Sequence, residues 1–270
     1  MAIAGDIAGG QRKDKETAEL VETIDPDYVL TAGDNAYPDG TREDYEKYDE
    51  TWGRFIGRTY PAPGNHDYHE EAGDPPYYYT YFADRLPDEN DGEYYAFNVG
   101  SWRLYSLNCE VSCSDTSDQA EWLHEDLATA GKGKHKMAYL HRPRYSCGTH
   151  GSSDTPGALW DILLDARADI VVAGHDHNYQ RYPRMDADGD RADDGIVSFV
   201  AGTGGSDFYE IDGDESEEGC PLARSHADSD AGLLKLTLGR NSFTWAMITV
   251  QNTVLDEGTE RTLDKLASAS

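Results

Sequence analysis

The chain has 270 residues, 38% of them hydrophobic, and sets 52 acidic residues against 23 basic ones for a formal net charge of -29. That length suits one α/β domain with a large core, and the charge excludes partners with an anionic backbone, so no nucleic-acid duplex is expected to bind. No window approaches the roughly 20 apolar residues of a membrane span, and no membrane partner is expected either. Such an excess of acid suits high salt, where screening removes self-repulsion. A halophilic or salt-tolerant source is therefore expected, with an ordinary acidic secreted protein as the alternative.

In chain order, residues 2–5 read as a strand, 12–24 as a helix with Leu20, Val21 and Ile24 on one face, and 27–32 as a second strand. A charged helix over 42–55 ends near Gly57, and 58–63 forms a short third strand. This β-α-β order implies helices packed over strands. Residues 68–93 are a tyrosine- and proline-rich excursion expected to wrap the rim of a site. Strands at 94–99 and 102–108 make a hairpin around Gly100. Residues 116–130 form a helix capped by Thr116 or Ser117, and strand 136–140, helix 156–166 and strand 169–173 follow. After Tyr182 the pattern becomes all-β, with strands at 195–201, 231–238 and 242–250 and a long acidic loop over 206–229. Two adjacent sheets with helices outside both satisfy this order. The reading is one domain over 1–255 followed by a polar tail over 256–270.

Four cysteines, Cys109, Cys113, Cys147 and Cys220, sit in polar loops. They allow three pairings, of which 109 with 113 and 147 with 220 is expected; a structural zinc is a weaker rival because the spacings do not suit one. Disulfides imply an extracellular or periplasmic, secreted protein.

Five polar clusters follow the strands: AIAGDI around Asp6, LTAGDNAY around Asp34 and Tyr37, APGNHD around Asn65 and His66, AYLHRP around His141, and VVAGHDH around His175 and His177. Open α/β sheets place their ligands at the carboxyl ends of strands. Glycines at 5, 33, 64 and 174 precede four of the five polar groups, where a residue without Cβ permits a sharp turn and close approach. Carboxylates, a phenol, an amide and imidazoles on one sheet edge point to two metal ions. A carboxylate suits the bridge between them, and Asp34 is the candidate. A phenolate ligand, from Tyr37, requires a strongly acidic ion because a free phenol has a pKa near 10; the alternative is that Tyr37 packs at the rim.

With these motifs the chain resembles the purple acid phosphatases, within the calcineurin-like metallophosphoesterases. The family pattern of an early Asp, GDxxY, GNH[DE], a histidine after a strand, and GHxH appears as Asp6, GlyAspAsnAlaTyr at 33–37, GlyAsnHisAsp at 64–67, His141, and GlyHisAspHis at 174–177. The resemblance implies an α/β fold, a four-layer αββα sandwich of two mixed sheets flanked by helices, with the catalytic domain over 1–255. It implies Fe(III) held by Asp6, Asp34, Tyr37 and His177, and a divalent ion (iron, zinc or manganese) held by Asp34, Asn65, His141 and His175. His66 then bonds phosphate and protonates the leaving oxygen, Asp67 orients His66, and His150 binds substrate. The implied reaction is hydrolysis of a small phosphate monoester by in-line attack of a metal-held hydroxide. A phosphodiesterase or nucleotidase, or a non-catalytic metal- or phosphate-binding protein, remains the alternative. Two departures are GlyAspIleAlaGlyGly at the first motif and HisAsnTyrGln after the last.

Other signals carry less. Arg142, Arg144 and Arg181 are the basic residues nearest the inferred site, and they are expected to pair with carboxylates rather than to steer phosphate. The AspAlaAspGlyAsp run at 186–190 lacks the spacing of a calcium loop and reads as an acidic turn. His124, His135 and His226 read as surface groups.

Overall fold

The computed structural model describes residues 1–9, 12–211 and 225–263. The first half contains β1 (Ala2–Ala4), α1 (Arg12–Ile24), β2 (Val29–Ala32), α2 (Arg42–Thr51), β3 (Thr59–Ala62) and a short α3 (Tyr77–Tyr81). Next come β4 (Tyr95–Val99), β5 (Trp102–Ser106), α4 (Asp118–Ala128), β6 (His135–Tyr139), α5 (Gly157–Asp165) and β7 (Ile170–Ala173). The remainder is β8 (Tyr179–Met185), β9 (Ile196–Ala201), β10 (Ser225–Ala227), β11 (Gly232–Leu238), β12 (Ser242–Thr249) and β13 (Val254–Arg261).

The strands form two sheets, one in the order β13-β12-β11-β1-β2-β3 and one in the order β10-β8-β9-β7-β6-β5-β4. Both are mixed: β1–β2–β3 and β5–β6–β7–β9 run parallel, with antiparallel strands beside them. Strands buried on both faces must be apolar on both, and these are. Ile3, Leu30, Leu234 and Leu236 of the first sheet meet Met137, Ile170, Val172 and Phe199 of the second. Their alternating neighbours Ala2, Ala4 and Val29 face α1, α2 and α3, whose Val21, Tyr45, Tyr48 and Tyr78 are buried there. Ala138, Val171 and Val200 face Leu123 and Leu127 of α4 and Leu159 and Leu163 of α5. Three apolar layers thus separate four structural layers, the αββα sandwich expected. Each buried leucine contributes about 1.5–3 kcal/mol by leaving water.

Several expectations change. The helix over 42–55 is α2 followed by a 3-10 turn over Trp52–Arg58. Its start is fixed by reciprocal bonds: Thr41 Oγ1 accepts from Asp44 N–H, and Asp44 accepts from Thr41 N–H. Part of the supposed polar tail is strand β13, which pairs with β12 along its length. It was hidden because it is an edge strand with largely exposed side chains and few apolar residues. Gly258 lets the Trp245 ring lie against it, since a Cβ there would overlap the indole. His135 is buried, not exposed; its Nε2 lies 2.8 Å from the Arg240 carbonyl and its ring against Trp102. His124 is exposed as expected, and the His226 side chain lies outside the description.

Cys109 and Cys113 are free thiols, so the disulfide expected between them is not formed. Cys113 Sγ instead donates to the Thr155 carbonyl at 2.9 Å, and Cys109 bonds to Cys113. Cys147 is disulfide-bonded; Cys220, its expected partner, lies outside the described residues. The 186–190 run is a turn, with Asp186 Oδ1 accepting from the N–H groups of Asp188 and Asp190. No helix among the described residues is long and apolar enough to cross a membrane.

Candidate metal centre

Asp6, Asp34 and Asn65 follow β1, β2 and β3, and His141 and His175 follow β6 and β7. The packing of one sheet on the other brings these carboxyl ends to a common edge. The turns there are tight: Asp6, Asp34 and His175 have φ of 60°, 51° and 71°. Left-handed backbone at a residue other than glycine costs on the order of 1–3 kcal/mol and persists only where surrounding structure enforces it. The glycines supply the room. A Cβ on Gly64 would overlap the Asp34 carboxylate and the His141 ring, and one on Gly33 would strike the same ring.

Two donor groups result. In the first, Tyr37 Oη lies 2.9 Å from each of Asp6 Oδ1, Asp34 Oδ2 and His177 Nε2, and His177 Nε2 lies 3.3 Å from Asp6 Oδ1. In the second, His141 Nε2 lies 3.1 Å from Asn65 Oδ1, 3.2 Å from Asp34 Oδ2 and 3.1 Å from His175 Nδ1. Ligand atoms bonded to one ion at about 2.1 Å stand about 3.0 Å apart in an octahedron and about 3.4 Å apart in a tetrahedron. Both groups have that spacing. Asp34 Oδ2 belongs to both.

The remaining atoms of these side chains are held in place, as metal ligands require. Asp34 Oδ1 accepts from His66 N–H at 2.8 Å, and Asp6 Oδ2 from His175 N–H at 2.9 Å. His141 Nδ1 bonds the Ala32 carbonyl at 2.9 Å and His177 Nδ1 the Asp207 carbonyl at 2.5 Å. A proton on each Nδ1 leaves the Nε2 lone pair facing the donor group.

Asp6 and Asp34 are buried, and neither bonds a lysine or arginine among the described residues. Burial pushes Asp34 up, but His141 and His66 outweigh it and hold the carboxyl below its usual range. Burial pushes His141 down, yet Asp34 and Asp6 raise it to about 10. Burial and then the His141 charge lower His175 to about 3. Burial, then Asp34 and Asp6, drive the Tyr37 phenol well above 10. Titratable imidazoles are thus the cations nearest two buried carboxylates, and a metal ion displaces protons from the same atoms. The donor set fits two ions. The phenol ionises there only against a cation of high charge.

The rim holds the other expected residues. His66 packs its ring on Tyr37 at 4.4 Å; its Nδ1 bonds the Pro38 carbonyl, and its Nε2 lies 3.9 Å from Asp34 Oδ2. His150 stacks on His175 at 4.3 Å and is exposed. Asp67 does not orient the His66 ring. It is buried beneath, accepting from Gly64 N–H at 2.9 Å, Tyr45 Oη at 2.6 Å and Asn35 N–H. Adjacent residues in a 3-10 turn project in different directions, so Asp67 braces the loops that carry Asp34 and Asn65. Arg142, Arg144 and Arg181 pair with Glu110, Asp154 and Asp256, as expected.

Two contributors were missed. Tyr209 stacks on His177 at 4.0 Å and meets His150 edge-on at 5.0 Å. Asp176, between the two histidines of GHDH, accepts from Ser146 Oγ and from His150 N–H at 2.9 Å, and so fixes the His150 loop. Its place between two ligands was a usable signal; Tyr209 offered none, lying in an unpatterned acidic loop.

A sequence model for calcineurin-like phosphoesterases matches residues 1–179. The chain belongs to the calcineurin-like phosphoesterase family. It is 28% identical over 203 residues to "Probable purple acid phosphatase 20" of Arabidopsis thaliana, covering 68% of the chain and 46% of the relative. It is 27% identical over 221 residues to "Purple acid phosphatase 15" of the same plant, covering 68% and 41%. The "Fe(3+)-Zn(2+) purple acid phosphatase 12", again from Arabidopsis thaliana, is 26% identical over 179 residues, covering 58% and 37%. The chain thus spans less than half the length of these curated relatives. Its fold resembles purple acid phosphatase PPD1 from yellow lupin (Lupinus luteus) seeds, with a TM-score of 0.77 and 18% identity over 100% of this chain and 57% of that one. It equally resembles GAP50, the anchor in the inner membrane complex of Plasmodium, with a TM-score of 0.75 and 16% identity over 98% and 89%. A shared fold therefore does not decide function; the residues of the site do.

Proposed function

We propose that the chain hydrolyses small phosphate monoesters at a dinuclear centre of Fe(III) and one divalent ion, iron, zinc or manganese, as the purple acid phosphatases it resembles do. The observation that carries this is Asp34 Oδ2, shared by two donor groups at 2.9 Å and 3.2 Å. Asp6, Asp34, Tyr37 and His177 would hold the ferric ion, and Asp34, Asn65, His141 and His175 the divalent one. A relative named for Fe(3+) and Zn(2+) supports unlike ions. Such ions supply Lewis acidity and lower the pKa of coordinated water.

The chain's own groups bind and orient the ester. His66 Nδ1 is engaged by the Pro38 carbonyl, so in the imidazolium form its Nε2–H is available to a phosphoryl oxygen or the leaving oxygen. His150 and Tyr209, which meet edge-on and stack on His175 and His177, would add a wall to the ester's pocket. The disulfide at Cys147 favours an extracellular or periplasmic setting.

Turnover of p-nitrophenyl phosphate against bis-p-nitrophenyl phosphate, on protein whose metals have been counted, tests the reading. Faster monoester turnover is expected; faster diester turnover overturns monoester specificity, and no turnover with both ions bound overturns hydrolysis. His66→Ala should lower kcat by about 10²–10⁴-fold. Tyr37→Phe should abolish a visible phenolate-to-iron absorption without unfolding the protein; persistence of that band removes Tyr37 as a ligand.

A further inference from the structure

We propose that the protein carries a second anion site, a cleft lined by five arginines at the far end of the second sheet from the metal centre, which takes a phosphate-type oxyanion. The cleft has a volume of about 930 Å³ and is lined by Arg167, Arg181, Arg184, Arg191 and Arg261. Its position follows from the strands. His175 and His177 leave the carboxyl end of β7, whereas Arg184 pairs with Val197, which pairs in turn with Ile170 at the amino end of β7.

The composition of this cleft opposes that of the protein. The chain has 52 acidic residues and 23 basic ones, yet the cleft gathers five arginines against Asp193 and Glu260. Three of the arginines are anchored. Arg181 pairs with Asp256 at 2.6 Å and 3.0 Å. Arg184 bonds Glu260 at 3.2 Å and the carbonyls of Gly195 and Arg261 at 2.8 Å each. Arg167 lies 3.6 Å from Asp194. Arg191 and Arg261 are exposed and form no ion pair among the described residues. A fixed wall therefore presents two guanidinium groups that form no ion pair among the described residues, with Asp193 and Glu260 the acidic residues that line the cleft beside them.

Guanidinium forks match the oxygens of phosphate in pairs and do so better than point charges. The rest of the acidic surface repels a long polyanion, but its field is screened beyond about 8–10 Å at moderate salt. A small oxyanion seated in the concavity meets the arginines first. The inference stands apart from the hydrolytic reading, because it uses no residue of the metal centre. If both hold, inorganic phosphate has a place to bind outside the site that releases it.

Calorimetric titration of inorganic phosphate into the metal-loaded protein, at the lowest salt that keeps it folded, tests this. Wild type should bind at two sites. The double variant Arg191→Ala/Arg261→Ala should lose one, or bind there at least tenfold more weakly, with product inhibition of turnover unchanged. Asp34→Asn should retain the arginine site. Arg191→Lys/Arg261→Lys, which keeps charge without the fork, should weaken that site by at least threefold. A phosphate isotherm that the double alanine variant leaves unaltered, or one that disappears in Asp34→Asn, overturns the proposal.

Discussion

The two ends of β7 handle buried charge in opposite ways. At the amino end, Arg184 is 7% exposed and is met by Glu260, Asp169 and two carbonyl oxygens. Nearby, Arg181 and Asp256 form a two-bond pair that Tyr179 Oη and Trp245 Nε1 join at 2.7 Å and 2.9 Å. At the carboxyl end, Asp6 and Asp34 are as deeply buried, and among the described residues their cations are imidazoles, whose charge is conditional. Permanent charges matched by permanent partners hold the sheets together. Carboxylates matched by groups that can release protons mark a place for an ion that the protein does not itself provide.

The sharpest break between the two ends comes from Asp34→Asn. It should lower activity on the order of 10³-fold or more and weaken loading of both ions, because both donor groups lose their common oxygen. Metal analysis with kinetics checks this. Truncation at the other end should act on stability alone: Arg184→Ala removes the cation that meets Glu260 and frees the Gly195 and Arg261 carbonyls, while Asp169 keeps His135 and the Leu263 N–H, and it should cost about 1–3 kcal/mol in denaturant unfolding, with kcat of the surviving folded protein unchanged.

The Asp256 pair sharpens the contrast through pH. Burial raises the Asp256 carboxyl, but Arg181, Tyr179 and Trp245 outweigh it and hold it below its ordinary value. Its contribution is therefore fully present above the unfolded value near pH 4 and is lost as pH falls through the folded one. Asp256→Asn should flatten the acid limb of the stability curve. At the metal end, by contrast, ion loading should release about two protons or more, chiefly from His141 and Tyr37, seen as buffer-dependent calorimetric heats. Chelation should then lower stability by about 2.7 kcal/mol for each ion that had been held at a hundred times its Kd. The smallest effect is expected at a helix cap that contributes no donor atom: Thr41→Ala at the start of α2 should cost about 1 kcal/mol and leave metal content unaltered.

Sequence made the metal end legible for a physical reason. Holding ions would restrict Asp6, Asp34, Asn65, His141 and His175 to a few residue types, and close approach demands glycine at 33 and 64. The central strands were equally readable, since burial on both faces leaves uninterrupted apolar runs such as Ile170–Ala173. What stayed hidden is stabilised by partners distant in sequence. Strand β8 reads TyrGlnArgTyrProArgMet, a polar mixture that makes sense only once Asp256, Glu260 and Ser146 are seen to satisfy it. Strand β13 is an exposed edge. Asp67 was misread because a motif gives adjacency, not direction: it turns inward to Asn35 and Tyr45 while His66 turns to the rim.

Anomalous diffraction from crystals of the metal-loaded protein tests the central claim most directly. Two peaks about 3–4 Å apart, both bonded to the Asp34 carboxylate, with Tyr37 and His177 on one and Asn65, His141 and His175 on the other, are expected. A single peak, or a pair that Asp34 does not join, would contradict it.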